Sequence, residues 1–400
     1  EEWGGTESVI LNLCRQQKAA GWLPEILTSR ALNRTPTETW NGIPIRRFPY
    51  CYPFWGLTAE DRQALDKKGG NLLSLSLFFH LWKASSVRLY HAHVLKRMGG
   101  SVLTAARLRK KPCVVSLHGN IFDVPESEAQ AVVDPQQGHF EWGKPWGLLF
   151  RSRSLLEEAD AIICVGYSEY KAARKALSHD RIYYLPNGVN PHAFQGGDRD
   201  ACRQKLGLNP SDWVIGCIAR IDPQKGQHLL VEVLRKLRSQ QIPARLILAG
   251  PITDPVYAEK IKQSIQQHQL SDTVHWLPPV EVESQPHVDL LAALDTFLLP
   301  SRHEPFGIVV LEAWAAGKPV VASDLGGLSR LLEDQQNGLH AQPGNAEDFA
   351  QKAFRLYKNR ELADKLARRG HETALEKYSW KAINQQLESI YQTAETRLQS

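Results

Sequence analysis

Two stretches of the chain set charged side chains at spacings that could do chemistry. In "LLPSRHEPFGIVVLEAW", residues 298–314, Glu304 stands before a Pro-Phe-Gly turn and Glu312 follows it. Gly307 permits a tight turn, and a helix beginning near Ile308 would leave the N–H groups of Phe306, Gly307 and Ile308 free to face a ligand. Glu312, about one turn into that helix, could accept hydrogen bonds from both hydroxyls of a vicinal diol such as a ribose. The plainer alternative for either residue is a surface glutamate favoured by the helix dipole. In "GCIARIDPQKG", residues 216–226, an apolar run ends at Arg220, Lys225 follows, and Gly226 opens a helix. Two cations beside a helix N-terminus make an anion site suited to a diphosphate. Solvated Arg and Lys are common, so it is the strand–loop–glycine–helix context that carries this reading. His91-Ala92-His93 puts two imidazoles on one face of a strand, but no Cys or carboxylate cluster accompanies them. They are read as core and cleft histidines, and no metal site is expected.

The secondary structure around these residues has one pattern. Short apolar runs read as strands in "PEILTS", "IPIRRF", "RLYHAHV", "PCVVSLHG", "AIICVGY" and "IYYLP" of the first half. In the second half they are "WVIGCIA", "ARLILAG", "VHWLPP", "TFLLPS" and "PVVASD". Helical periodicity fills the gaps, at 226–241, 256–269, 308–317 and 346–358 among others. Strands alternating with helices imply parallel α/β sheets with right-handed crossovers, and two such blocks imply two Rossmann-like domains. Glycines, prolines and Asn/Asp in "PNGVNPHAFQGGDRDA", 186–201, mark the change of block. The expected division is 1–190 and 191–378, with 379–400 forming a last helix over roughly 380–397. Residues 120–150 are acidic, aromatic and interrupted by proline, the composition of a long functional loop.

Length and composition agree. A chain of 400 residues exceeds one ordinary core, and its 42% hydrophobic share is that of a water-soluble globular protein. No apolar run is long enough to cross a membrane. The six cysteines form no CxxC pair, several lie in strand-like runs, and they are read as reduced core residues of a cytosolic protein. Asn33-Arg34-Thr35 is formally a glycosylation sequon, but a proline follows it and little weight rests on it. A net charge of +5 is too mild to imply nucleic acid. The positive excess lies in the first half, with its densest knot at Arg107, Arg109, Lys110 and Lys111. That knot reads either as a solvated helix end or as a contact for anionic lipid or an anionic acceptor. The opening "EEWGGTESVILNL" places Gly4-Gly5 directly before a helix. Such a pair usually hangs from a strand, so a start trimmed at the front is expected.

"EPFGIVVLE" resembles the Glu-x7-Glu motif of the retaining glycosyltransferases of family 4, which have the GT-B fold. Further pieces stand in that family's order: "GGTE", "HAHV", "SLHGN", "ADAIICVGYSE", "PNGVN", "ARIDPQKG", "LAGP", "HEPFG…E" and "ASDLGG". The resemblance runs from the Gly4-Gly5 loop to the last helix. It implies two Rossmann-like domains facing each other across a deep cleft, with the C-terminal helix packed back on the first. It implies a retaining, metal-independent hexosyltransferase that uses a nucleotide-diphosphate-sugar as substrate and needs no cofactor. Arg220 and Lys225 would hold the diphosphate and neutralise the leaving group, and Glu312 would bind the ribose. Glu304 would contact hydroxyls of the transferred sugar, with the amides of Phe306, Gly307 and Ile308. Gly4 and Gly5 would approach the donor phosphates, His118 would sit near the reacting sugar, and Asn187 would mark the crossover.

The donor expected from the resemblance is a UDP-sugar such as UDP-glucose, with GDP-mannose the alternative. The acceptor is a saccharide, a polyol or a lipid-linked molecule in glycan or glycoside biosynthesis. Acceptor choice is expected in the first domain, at His118, Asn120, Trp142 and Trp146, where exposed indoles would offer stacking platforms. A saccharide is favoured over a lipid-linked acceptor at the inner membrane face, because no helix with a basic-plus-aromatic face is evident beside the knot. The competing readings are a phosphorolytic transferase or a nucleotide-sugar epimerase of the same fold, and a non-enzymatic nucleotide-sugar binder. The binder would be expected to have lost Glu304, Arg220 or Lys225. A dehydrogenase is a poor third, since no Gly-x-Gly-x-x-Gly follows a strand.

Overall fold

The computed structural model describes residues 5–68, 70–119 and 139–399. The chain forms two compact units, Glu1–Pro186 with Asn384–Ser400, and Asn187–Ile383.

Unit 1 opens with the helix Gly5–Ala19. Its first sheet holds β1 (Ile26–Ser29), β2 (Thr37–Trp40) and β3 (Ile43–Phe48), in the order β1-β3-β2. β1 pairs with β3 in parallel, but β2 pairs antiparallel, a departure from the all-parallel expectation. The cause is local. Asn41 and Gly42 join Trp40 to its partner Ile43, and both have positive φ, 49° and 72°. That is the two-residue hairpin turn whose twist matches the flanking strands. A short antiparallel pair, β4 (Phe54–Trp55) with β7 (Phe140–Glu141), lies apart. The main sheet is parallel, in the order β5-β6-β8-β9: β5 (Tyr90–Ala92), β6 (Cys113–Leu117), β8 (Ala161–Cys164) and β9 (Ile182–Tyr184). Every residue of β6 and β8 is buried, as the near-continuous apolar runs of central parallel strands require. Leu77 and Leu81 of the helix Leu75–Lys83, and Leu103, Ala105 and Ala106 of the helix Lys96–Arg109, pack over it.

The last helix, Trp380–Gln399, starts in unit 2 and is counted with unit 1 from Asn384 onward. There Gln17 donates to the Tyr391 hydroxyl at 3.1 Å, and Arg88 pairs with Glu395.

Unit 2 is a single parallel sheet of β10 (Trp213–Ile218), β11 (Ala244–Ala249), β12 (Val274–Leu277), β13 (Thr296–Leu299), β14 (Val320–Ser323) and β15 (Leu339–Ala341). Its order is β12-β11-β10-β13-β14-β15. Counted within the unit, that is the doubly wound order 3-2-1-4-5-6, and the direction of winding reverses between β10 and β13. The helix His228–Ser239 buries Leu230, Val231, Val233, Leu234 and Leu237 against the sheet, leaving its charged residues outward. The helix Ile308–Ala315 is different. Val310, Leu311, Ala313 and Trp314 are buried, and so is Glu312. A carboxylate placed there must carry a desolvation cost.

Four of the cysteines (Cys14, Cys113, Cys164 and Cys217) are buried, Cys202 is half-buried and Cys51 is exposed; none is in a disulfide. Cys51 therefore departs from the core reading. Among the described residues, no helix is long and apolar enough to cross a membrane.

Candidate functional site

In open α/β sheets a ligand crevice forms beyond the carboxyl ends of the strands, where the winding reverses. In unit 2 that point lies between β10 and β13, and the loops leaving these two strands carry Arg220, Lys225 and Glu304.

After β10 the chain turns at Asp222, whose carboxylate accepts from the Gln224 amide at 2.9 Å while its carbonyl accepts from the Lys225 amide at 2.9 Å. Gln227, fully buried, stitches this loop to itself. Its side-chain amide donates to the Arg220 carbonyl at 2.5 Å, and its oxygen accepts from the Asp222 amide at 3.4 Å. Gly226 has φ +70°, and a Cβ there would stand 2.2 Å from the Pro300 carbonyl oxygen. The loops after β10 and β13 are thus pressed together at a position only glycine fits. The amides of Arg302 and His303 close the seam by donating to the Gln224 carbonyl at 2.6 and 3.3 Å. Gly226→Ala is expected to destabilise the fold by about 1–3 kcal/mol, from backbone strain and the clash together. Denaturant unfolding followed by tryptophan fluorescence measures it, and an unchanged midpoint contradicts this account.

This seam brings Lys225 Nζ to 2.5 Å from Glu304 Oε2. Both side chains are nearly buried, at 13% and 7% exposure. Ser301 Oγ lies 3.4 Å from the same carboxylate oxygen. Arg220 is half exposed, and its guanidinium stands 3.7 Å from the Asp222 carboxylate. The Glu304 carbonyl accepts from the Gly327 amide at 2.8 Å, so "ASDLGG" packs against "HEPFG". Gly307, at φ +103°, caps the helix Ile308–Ala315. Among the described residues, the amides of Phe306, Gly307 and Ile308 have no backbone acceptor.

Glu312 is buried one turn further on. Burial first, then the nearby charge of Glu283, pushes its carboxyl up to about 7, against the opposing pull of Lys225. His287 stands 3.8 Å from it, Nε2 to Oε2. The Glu283 amide donates to His287 Nδ1 at 3.3 Å, so the proton of a neutral His287 sits on Nε2 and points at Glu312. Burial pushes His287 down to about 4, which keeps it neutral. Lys225 therefore pairs with Glu304 and also acts on Glu312. The arrangement offers two cations for an anion, two carboxylates for hydroxyl groups and a free helix N-terminus, all in one unit.

Unit 1 carries the remaining sequence-selected residues. His118 follows β6, and its Nε2 is 3.0 Å from His93 Nδ1. The His93 ring lies against that of His91 in a tilted contact, 4.1 Å between ring centroids. His91 in turn bonds the Tyr391 hydroxyl at 2.7 Å and the Ser116 hydroxyl at 2.8 Å. Burial pushes His91 down to about 3 and His118 to about 4, and lowers His93 as well, so the row is uncharged at neutral pH. Glu169, buried in "GYSE", accepts from the Gly119 amide at 3.0 Å and holds the loop that carries His118. Trp142 and Trp146 are half-buried rather than exposed platforms, because Trp146 stacks on buried Phe150 at 5.9 Å and the Trp142 amide donates to the Pro53 carbonyl. Gly5 begins the first helix, while Gly4 and Asn120 fall outside the described residues. Sequence reading missed Gln227, Glu169 and His287 as supporting residues. Gln227 directly follows the quoted "ARIDPQKG" and Glu169 closes "ADAIICVGYSE", while His287 carries no local signal.

Comparison with known proteins covers both units. Residues 4–188 match the glycosyl transferase 4-like domain, and residues 198–373 match the glycosyl transferases group 1. D-inositol 3-phosphate glycosyltransferase of Jonesia denitrificans is 26% identical over 356 residues, 84% of this chain and 78% of that protein. Mannosylfructose-phosphate synthase of Agrobacterium fabrum is 31% identical over 219 residues, 53% of this chain. This match spans only about half (47%) of that relative's length. The crystal structure of HepE from Anabaena with UDP matches over 98% of this chain and 96% of its own, at TM-score 0.73 and 21% identity, which is a likeness of fold. The fold is GT-B. With its two units matched in turn, the chain belongs to the glycosyltransferases of family 4.

Proposed function

We propose that the protein transfers a hexose from a nucleotide-diphosphate-sugar, expected to be a UDP-sugar such as UDP-glucose, to a saccharide, polyol or lipid-linked acceptor with retention of configuration. The observation that carries this reading is the Lys225–Glu304 contact at the switch point of unit 2, with Arg220 beside it. When the glycosidic bond to the donor breaks, the electron pair leaves with the diphosphate and positive charge grows on the anomeric carbon. Fixed cations at the phosphates stabilise that separation more than the ground state, the condition for catalysis. Arg220, half exposed, is free to reach a phosphate. Lys225 can shift from Glu304 to the diphosphate, releasing Glu304 to accept from hydroxyls of the transferred sugar. Glu312 and the Phe306–Ile308 amides would take the ribose and the donor oxygens. In this reading the two cations do the work a divalent ion does elsewhere, so no metal or cofactor is required. No protein nucleophile is assigned, because front-face transfer needs none. Acceptor selection is assigned to unit 1, where His118, Trp142 and Trp146 lie.

Thermal-shift screening against UDP, GDP and ADP tests the donor, since a ligand bound only by the folded state raises its melting temperature by mass action. The largest shift is expected with UDP. A shift with none of the three removes the reading, and a larger one with GDP moves the donor to a GDP-sugar. Incubation with donor and orthophosphate, without acceptor, separates a phosphorolytic enzyme. The stereochemistry is a further prediction. The anomeric proton of the product is expected to show the small coupling of an α linkage from an α donor. A β product contradicts front-face transfer.

A further inference from the structure

Unit 1 carries an apolar face that its core does not use. The helix Leu75–Lys83 buries Leu77 and Leu81 but leaves Leu75, Phe79 and Trp82 exposed by 38%, 48% and 42%. These three stand at i, i+4 and i+7, a single stripe along the helix. A chain of ring contacts running beneath the surface links this helix to a second one, Lys144–Leu149. Phe79 contacts Trp82 on one side and Phe78 on the other, Phe78 meets Phe150 at 4.9 Å, and Phe150 stacks on Trp146. On this second helix Leu148 and Leu149 are 81% and 61% exposed. Aliphatic side chains that far out in water on a packed helix mark a surface meant to be covered.

The charge around this face decides what covers it. Lys83 ends the first helix and Lys144 begins the second, with Arg153 shortly beyond; all three are exposed. The Arg107–Lys111 knot ends the neighbouring helix Lys96–Arg109, which packs on Leu75–Lys83. Arg109 is close enough to act on Tyr90, whose hydroxyl donates to the Leu81 carbonyl at the end of the first helix. Among the described residues, the acids nearby are already engaged. Glu141 pairs with Arg97, Glu158 with Arg151, Asp160 with Arg107, and Glu157 accepts from Ser178. Among the described residues, Lys83, Lys110, Lys111, Lys144 and Arg153 have no ion-pair partner. An aromatic and aliphatic stripe bordered by uncompensated cations fits an interface where hydrocarbon lies beneath negative headgroups. The tryptophan at one end of the stripe, beside a lysine, suits the same boundary.

We propose that this face docks the protein on the surface of an anionic bilayer, with the two helices lying in the headgroup region. The helix Leu75–Lys83 supplies the aromatic face that the sequence alone did not reveal beside the basic knot. The proposal does not rest on the transfer chemistry, because docking is read without donor or acceptor.

The test is flotation of the full chain with vesicles of phosphatidylcholine alone or mixed with phosphatidylglycerol, at about 0.1 M and about 0.5 M salt. The chain is expected to float with the anionic vesicles and far less with the neutral ones, more weakly at high salt. Lys83→Glu and Lys144→Glu are each expected to weaken binding by about fivefold or more. Trp82→Ser and the pair Leu148→Ser with Leu149→Ser are expected to lose most of it. All these positions are exposed, and an unchanged melting temperature verifies folding. Absence of flotation overturns the proposal, as does flotation that the substitutions do not diminish. So does sedimentation showing a dimer that Trp82→Ser dissociates, since the face is then covered by a second copy.

Discussion

Arg220→Ala is expected to lower the transfer rate by roughly 100-fold or more while leaving the melting temperature near that of the parent protein. The two halves of that statement come from one fact. The Arg220 side chain is half exposed and stands 3.7 Å from Asp222, a contact of the surface kind that contributes little to stability. Its backbone, by contrast, is fixed through the Gln227 amide, so the guanidinium stands on a rigid loop. Charge held ready on such a loop acts fully on a departing diphosphate. Lys225→Ala is expected to cost a similar factor in rate but to disturb folding as well. It strips the partner from Glu304, which is 7% exposed, and an unpaired buried carboxylate is costly. The double variant Lys225→Met with Glu304→Gln removes both charges, so it should recover stability without recovering activity. Steady-state kinetics with melting curves decide the matter. Near-parental turnover in both Arg220→Ala and Lys225→Ala would remove these residues from the site.

How much of the structure was legible in the chain depends on the range of the interactions involved. The strands β6, β8, β10, β11 and β13 were legible because buried parallel strands are written as unbroken apolar runs. The charged residues after β10 and β13 were legible for the same reason: a strand's end is visible, and the loop beyond that end is where a ligand binds. The partnership of Lys225 with Glu304 was not legible, since it depends on two strands distant in sequence lying side by side at the switch point. His287 was out of reach altogether. It stands on a different helix from Glu312, and nothing near it in sequence says which carboxylate it faces. The β2–β3 hairpin was missed although Asn41-Gly42 is a strong local turn signal, because Thr37–Trp40 is polar and largely exposed and does not read as a strand. The stripe of Leu75, Phe79 and Trp82 was hidden by the opposite fault. "LSLFFHLWK" is so apolar that periodicity cannot tell the core face from the exposed one.

Glu304→Gln and Glu312→Gln should separate in kinetics, and the second should also change how stability depends on pH. Glu304, beside Lys225, is proposed to act on the sugar as charge develops, so its amide variant is expected to lower kcat by roughly 10- to 100-fold with little change in donor KM. Glu312 is assigned to the ribose, which is bound alike in ground and transition states, so its loss should raise donor KM and spare kcat. Its buried carboxyl, moved from 4.5 to about 7, holds a proton in the folded chain over a range where the unfolded chain has lost it. A raised acid of this kind contributes stability below the unfolded value that disappears as pH climbs through the folded one. The folded protein should therefore lose up to about 3 kcal/mol between pH 4.5 and 7 on this account. Glu312→Gln, which cannot ionise, should flatten that slope and be the more stable protein at neutral pH. Binding works in the opposite sense. Ribose hydroxyls donate to the ionised carboxylate and favour it, so UDP binding near pH 6.5 should release a proton from Glu312. Calorimetry in buffers of different ionisation enthalpy measures that release, and Glu312→Gln should abolish it. A parental slope of stability with pH in Glu312→Gln, or proton release that survives the substitution, would place the titrating group and the ribose contact elsewhere.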